Sequence, residues 1–201
     1  TLKGGIDNPI VRMYEAPYIP GSSLKGVLRS EAERYVRSLS SSDKSLFVCD
    51  ILNPTDEKTG EEPCIICRIF GGPTLASHLI VYNALPASSF RTEMKTSVSI
   101  SRVTGGQYPG RLFDIEYVVP FTKFKFEMRV DNIDLMGGSM EAKVVNHLLN
   151  MLTGGQIWLG GRKSVGMGNV KLTDVKVLKI EFKDGQTIEE DITSKYLSRG
   201  V

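Results

Sequence analysis

No run of roughly eighteen or more apolar residues occurs in this chain, so no segment reads as a membrane-spanning helix. No apolar signal-peptide core opens it either, because residues 1–5 are polar and glycine-rich. Cysteine is scarce. Three in 201 residues is an odd number and poor material for a disulfide framework, so the expectation is a reduced, cytoplasmic protein. Charge of one sign is also lacking: the formal net charge is +2. That is too weak to demand nucleic acid by itself, and any such footprint must be local, in loops where basic residues meet glycines. No internal repeat is evident. What remains is ordinary for a globular protein, with 41% hydrophobic and 24% charged residues, enough for one full-sized domain or a core with insertions.

Periodicity divides the chain. After Pro20, Gly21-Ser22-Ser23 offers an N-cap, and Leu24, Val27, Leu28, Ala32, Tyr35 and Leu39 follow helical spacing, predicting a helix over about 23–38. A polar stretch follows, rich in charge and holding Asn53-Pro54 and Thr59-Gly60, and it reads as a loop-rich insertion. Leu79 and Val81 suit a short strand. Over 121–130, Phe124, Phe126, Met128 and Val130 alternate with Lys123, Lys125, Glu127 and Arg129, the pattern of one half-buried strand. Met140, Val144, Leu148, Met151 and Leu152 predict a second helix over about 139–152, with Gly154 at its end. A tail with Val170, Leu172, Val175, Val177, Ile180 and Phe182 reads as β-rich. Helix, strands, helix and further strands give the α+β class, helices packed on one face of an antiparallel sheet. No clear strand precedes Asp7, where such a core would begin.

Four constellations carry chemistry. At Tyr18-Ile19-Pro20-Gly21-Ser22-Ser23-Leu24-Lys25-Gly26-Val27-Leu28-Arg29, helix N–H groups, two hydroxyls and two cations suit a phosphate. The same residues also read as a well-capped amphipathic helix with solvated charges. In Gly160-Gly161-Arg162-Lys163-Ser164-Val165-Gly166-Met167-Gly168, glycines let a backbone approach a ligand, and Arg162 and Lys163 supply charge. It lacks the Gly-Lys-Ser/Thr ending of a P-loop, and a tight connection between strands is the other reading.

Cys64 and Cys67 form a C-x-x-C turn, half of a tetrahedral zinc site. Cys49 can close the insertion, with His78 or Asp50 as a fourth ligand; three ordinary buried thiols are the alternative. His147 lies between core positions of the second helix and reads as structural. Finally, the segment from Phe90 to Tyr117 turns at Gly105-Gly106-Gln107-Tyr108-Pro109-Gly110. It predicts a protruding β-hairpin with Arg102 and Arg111 near its tip, either an arm for bases and phosphates or a plain surface hairpin.

Together these stretches resemble the RAMP superfamily, and specifically the backbone subunits of type III CRISPR–Cas effector complexes. The resemblance is carried by Gly5-Ile6-Asp7-Asn8-Pro9-Ile10-Val11-Arg12, the Tyr18 stretch to Gly26, Cys64-Ile65-Ile66-Cys67-Arg68-Ile69-Phe70-Gly71 and the glycine-rich stretch, in the family's order over most of the chain. It implies a single domain with a ferredoxin-like (RRM-like) core, an insertion at about 40–76 and a hairpin thumb at about 92–117. It also implies stacking of copies along a CRISPR RNA with other subunits, and a thumb that interrupts guide–target pairing. Ser23, Lys25, Arg29, Arg102, Gly160, Gly161, Arg162, Lys163, Gly166 and Gly168 would then contact RNA.

By the same resemblance Asp7 takes the position of the aspartate that, in active members of the family, cleaves complementary target RNA with Mg²⁺ or a similar divalent ion; as plain chemistry Asp7-Asn8-Pro9 also reads as an Asx turn. Cys49, Cys64, Cys67 and His78 are the expected structural Zn²⁺ ligands. Two other functions fit the resemblance: a purely structural RNA-binding subunit, and a stand-alone endoribonuclease that processes CRISPR RNA. The second depends on an acid–base group near the start of the fold, and neither His78 nor His147 lies there.

Overall fold

A computed structural model describes residues 5–40, 46–50 and 63–198. Much of the expected insertion, and the place of any strand ahead of Asp7 in residues 1–4, lie outside the described residues. The elements in chain order are β1 (Arg12–Met13), β2 (Ala16–Pro17), α1 (Gly21–Ser40), α2 (Ile65–Phe70), β3 (Leu79–Val81), β4 (Leu85–Pro86), β5 (Thr92–Ile100) and β6 (Gln107–Val118). There follow β7 (Phe124–Lys125), β8 (Met128–Val130), α3 (Met140–Thr153), β9 (Ile157–Trp158), a 3-10 turn at Lys163–Val165, β10 (Asn169–Val170), β11 (Leu178–Lys183), β12 (Gln186–Asp191) and α4 (Thr193–Leu197). This is a mixed α/β chain whose described strands form small antiparallel two-stranded sheets. Among the described residues no helix is long and apolar enough to cross a membrane.

Two compact units are present: residues up to Ser22 together with Val81–Glu127, and Ser23–Ile80 together with the chain from Met128. In the first, β5 and β6 form a long hairpin, in register from Thr92↔Val118 to Ile100↔Gln107 with one irregularity between Val98 and Ile100. β1 pairs with β2 and β4 with β7. Gly21 opens α1 two residues earlier than the periodicity predicts. Its N–H donates to the Asn83 Oδ1 (2.8 Å), so the cap comes from a distant side chain and not from the serines. A Cβ at Gly21 would lie 2.3 Å from the Val81 carbonyl oxygen, which restricts the position to glycine.

The second unit holds most of the apolar core. Leu24, Leu28, Ala32 and Val36, spaced by four, form the buried stripe of α1, and Val144, Val145, Leu148 and Leu152 that of α3. Ser139 caps α3 by accepting the Ala142 N–H (3.1 Å). The His147 ring stacks on Tyr35, centroids 3.9 Å apart, in keeping with a structural role, and burial pulls its pKa down. Tyr196 of α4 is buried, its hydroxyl bonded to the Asn146 Oδ1.

The single strand expected over 121–130 is a correction. Phe121 is fully exposed with a left-handed φ of 66°, and the segment divides into β7, which pairs with β4, and β8, which pairs with β3. The break is a one-residue slip in pairing: the Ala87 N–H donates to the Lys123 carbonyl (2.8 Å) in the register of β4 and β7, whereas the Tyr82 N–H donates to the Glu127 carbonyl (3.1 Å) in a register shifted by one residue. The in-out alternation of 123–130 nevertheless survives.

Candidate nucleic-acid interface and metal centre

Asp7 lies in an extended segment attached to β6 at Asp114 and Glu116. Its Oδ2 accepts the Asp114 N–H (2.9 Å), the Asn8 N–H donates to the Asp114 carbonyl (3.1 Å), and the Glu116 N–H donates to the Asn8 carbonyl (3.0 Å). An Asx turn from Asp7 is excluded by chemistry, because the required N–H belongs to Pro9, which has none. Asp7 itself is exposed. Glu116 is buried, and the Arg12 guanidinium donates to both of its carboxylate oxygens, one at 2.7 Å. The Ile10 N–H donates to Oε2 as well (3.3 Å). The hydrogen bond from Arg12 holds the Glu116 pKa down at about 2, against the cost of burial. Pattern reading missed this pair: Glu116 sits in an alternating strand, and nothing local shows its partner.

The hairpin tip, 101–106, is closed by the Ser101 N–H to the Gly106 carbonyl and the Gly105 N–H to the Ser101 carbonyl, both 2.9 Å. Arg102 is exposed there, and Arg111 stands 4.6 Å above the Tyr108 ring, a cation–π pair.

At the start of α1, Ser23 is exposed while the two cations are turned inward. The Lys25 Nζ donates to the Ser77 Oγ (2.7 Å), and burial, then the charge of Arg29, lower its pKa. Arg29 is a strut within the protein. It reaches the Gly71 carbonyl (3.1 Å), the Glu33 carboxylate (3.3 Å) and the Cys67 Sγ (3.8 Å).

The glycine-rich stretch connects β9 to β10, which are paired antiparallel, and the Leu159 N–H to the Gly168 carbonyl (2.8 Å) closes its neck. Arg162 adopts a left-handed φ of 59°, and Gly160, Gly161, Arg162, Lys163 and Gly166 are exposed. A Cβ at Gly160, Gly161 or Gly166 would meet nothing within 4 Å, whereas at Gly168 it would lie 1.9 Å from the Leu159 carbonyl oxygen. One glycine shapes the neck; the others leave an open backbone surface.

Cys49, Cys64 and Cys67 are all buried and their sulfurs lie within 4.8 Å of one another; Cys49 is 3.3 Å from each of the others. Cys64 caps α2 by accepting the Cys67 N–H (3.5 Å), the C-x-x-C turn placing two sulfurs side by side. Burial pushes the Cys49 and Cys67 thiols up, while hydrogen bonds from its two neighbours outweigh burial at Cys64 and pull it down. The cluster fits a soft or borderline cation: three convergent sulfurs, an N–H on one and a guanidinium on another to offset thiolate charge. Neither His78 nor Asp50 belongs to the group. The Nδ1 of His78 is 2.8 Å from the Asp131 carbonyl, which can only accept, so Nδ1 carries the proton.

Residues 4–171 match the family model of the RAMP superfamily, and the chain belongs to that superfamily. Among individual proteins it is similar to the endoribonuclease Csm3 of the CRISPR system Cms from Methanothermobacter thermautotrophicus, 30% identical over 216 residues that cover 92% of this chain and 81% of the relative. It is likewise 30% identical to the protein of that name from Methanocaldococcus jannaschii, over 89% of this chain and 72% of the relative. With the Streptococcus thermophilus counterpart it shares 27% identity over 96% and 86%.

Proposed function

We propose that this chain is a CRISPR RNA-binding backbone subunit of a type III effector complex, and that it cleaves bound target RNA at Asp7. The observation that carries the reading is likeness, over almost the whole chain, to proteins named as CRISPR endoribonucleases, together with an exposed carboxylate held on an anchored segment. Copies of the chain stack along the guide RNA in the cytoplasm with other subunits, each built on a ferredoxin-like core, with the β5–β6 hairpin as thumb. Ser23, Arg102 and the loop residues Gly160, Gly161, Arg162, Lys163, Gly166 and Gly168 meet the RNA backbone, supported by their exposure in loops or at a helix start. Lys25 and Arg29 act from the same helix turn, Arg29 chiefly by holding that turn to α2.

Asp7 is an exposed, hard oxygen donor, which suits Mg²⁺ or a similar divalent ion. Such an ion supplies neutralisation of charge on the scissile phosphate and a lower pKa for the attacking hydroxyl. The Asp114 amide fixes one oxygen of Asp7 and so the direction of the carboxylate. With the RNA's own 2′-OH as nucleophile, the new 2′-O–P bond replaces the P–O5′ bond, solvent takes the hydroxyl proton and protonates the leaving 5′-oxygen, and the protein supplies little else at the scissile bond. The thiols of Cys49, Cys64 and Cys67 hold a structural Zn²⁺ that ties the segment around Cys49 to the turn that opens α2, supported by their convergence and burial.

In reconstituted complex, Asp7→Ala should slow cleavage of guide-complementary RNA by at least about a hundredfold while leaving guide and target binding, measured with EDTA present, nearly intact. Undiminished cleavage would assign the chemistry to another residue or subunit. Loss of cleavage and binding together would mean an assembly defect and count against the role.

A further inference from the structure

The segment that carries Asp7 has little structure of its own, and its described attachments run to β5 and β6 and to its own continuation. Asp114 and Glu116, two apart on β6, do most of this. Asp114 receives Asp7 and Asn8 through its backbone, and Glu116 holds the segment at three places: its N–H on the Asn8 carbonyl, its carboxylate on the Ile10 N–H, and the same carboxylate on Arg12. Arg12 also reaches the Thr92 Oγ1 of β5 (3.5 Å), so both hairpin strands are engaged.

Both side chains of the ion pair are more than nine-tenths buried, 8% and 5% exposed. Burying two charges is costly, and an apolar pair of similar volume often stabilises a fold as well or better, so stability alone is a poor reason for such a pair. A two-pronged guanidinium–carboxylate contact offers what an apolar one does not, a fixed register and direction. A slip of one residue along β6 would carry Asp7 about 3.3 Å away. Misplacement by about 1 Å can already cost a hundredfold in rate.

We infer that the buried Arg12–Glu116 pair is a positioning device for Asp7, fixing the register of the 7–12 segment on β6 so that the carboxylate meets the scissile phosphate. The inference rests on the reading of Asp7 as the cleaving residue. Arg12 and Glu116 act through the backbone of residues 8–10 and do not touch RNA.

The test uses reconstituted effector complex, single-turnover cleavage of saturating target RNA, and a Mg²⁺ titration of the rate. The Arg12→Met/Glu116→Leu double variant keeps the buried volume while removing the directional contact. It should melt as the parent does, bind guide and target with unchanged Kd, cleave at least about tenfold more slowly, and need more Mg²⁺ for half its maximal rate. Arg12→Lys should recover part of the rate. Full rate and unchanged Mg²⁺ dependence in a folded double variant would overturn the inference, as would a loss of rate matched by a loss of binding. If the double variant does not assemble, Glu116→Gln decides alone: a slower rate with intact binding supports positioning, and a full rate refutes it. Asp7→Ala runs alongside. If it cleaves normally, the reading of Asp7 fails and the positioning role with it; if it is inactive while the pair variants cleave fully, only the positioning role fails.

Discussion

Gly161 and Gly168 lie in one loop, yet an alanine should act on them in opposite directions. At Gly168 the backbone φ is +86° and the new Cβ would lie 1.9 Å from the Leu159 carbonyl oxygen. The left-handed conformation alone costs an L-residue about 1–2 kcal/mol. Relieving the overlap must also disturb the 2.8 Å hydrogen bond between the Leu159 N–H and the Gly168 carbonyl, worth about 1 kcal/mol. Gly168→Ala should therefore destabilise the protein by about 2–3 kcal/mol. Gly161 has neither problem: its φ is not positive and nothing lies within 4 Å of the added carbon. By restricting the unfolded chain, Gly161→Ala should stabilise by about 0.4–1 kcal/mol. If the loop lays its bare backbone against RNA, the same methyl group should still weaken guide binding. The assay pairs urea unfolding with titration of labelled guide RNA at moderate salt. Gly161→Ala that binds guide RNA as tightly as the parent would refute the contact, and an undiminished Gly168→Ala would refute the geometry of the neck.

Other consequences are equally direct. Elemental analysis of tag-free protein should find about one zinc per chain; Cys64→Ser should lower it and loosen the insertion while the core stays folded, and a zinc-free, fully folded parent would refute the site. Because the folded pKa of Glu116 lies near 2, below its ordinary 4.5, the fold with Glu116 ionised is favoured over the fold with it protonated by an amount on the order of 3 kcal/mol, stability present above pH 4.5 and lost as pH falls toward 2. Glu116→Gln should remove that part of the acid dependence in denaturation curves taken between these pH values, and an unchanged curve would contradict it. Lys25→Ala combined with Arg162→Ala should weaken guide binding whatever the guide sequence and make its salt dependence shallower; an unchanged slope would remove both from the RNA surface.

What could be read from the sequence was local. The four-residue stripe of α1, the Ser139 cap and Gly154 end of α3, and the turn residues at 105–110 each announce an element within one window. The C-x-x-C turn and one more cysteine sufficed to bring Cys49, Cys64 and Cys67 together. What escaped depends on contacts between distant residues. Asn83 caps α1 from 62 positions away, and the 121–130 strand is interrupted by a one-residue slip in its partner between Tyr82 and Leu85. The six-residue α2 is too short for periodicity to show, and α4 is shorter still. Glu116 looks like one more polar residue of an alternating strand until Arg12, 104 positions earlier, folds onto it. One local signal was passed over. Asp184-Gly185, with left-handed φ at both residues, is a two-residue hairpin turn, and it joins β11 to β12.

The β5–β6 hairpin has the mechanics of a lever. Its nine-residue strand spans about 30 Å. Asp114 faces Thr96 and Glu116 faces Met94, so the Asp7 segment is tied to the lower half of the hairpin, and beyond Thr96, among the described residues, the two strands pair only with each other. Bending confined to the part beyond Thr96 would move Arg102 and the tip and leave the carboxylate of Asp7, held at Asp114, in place.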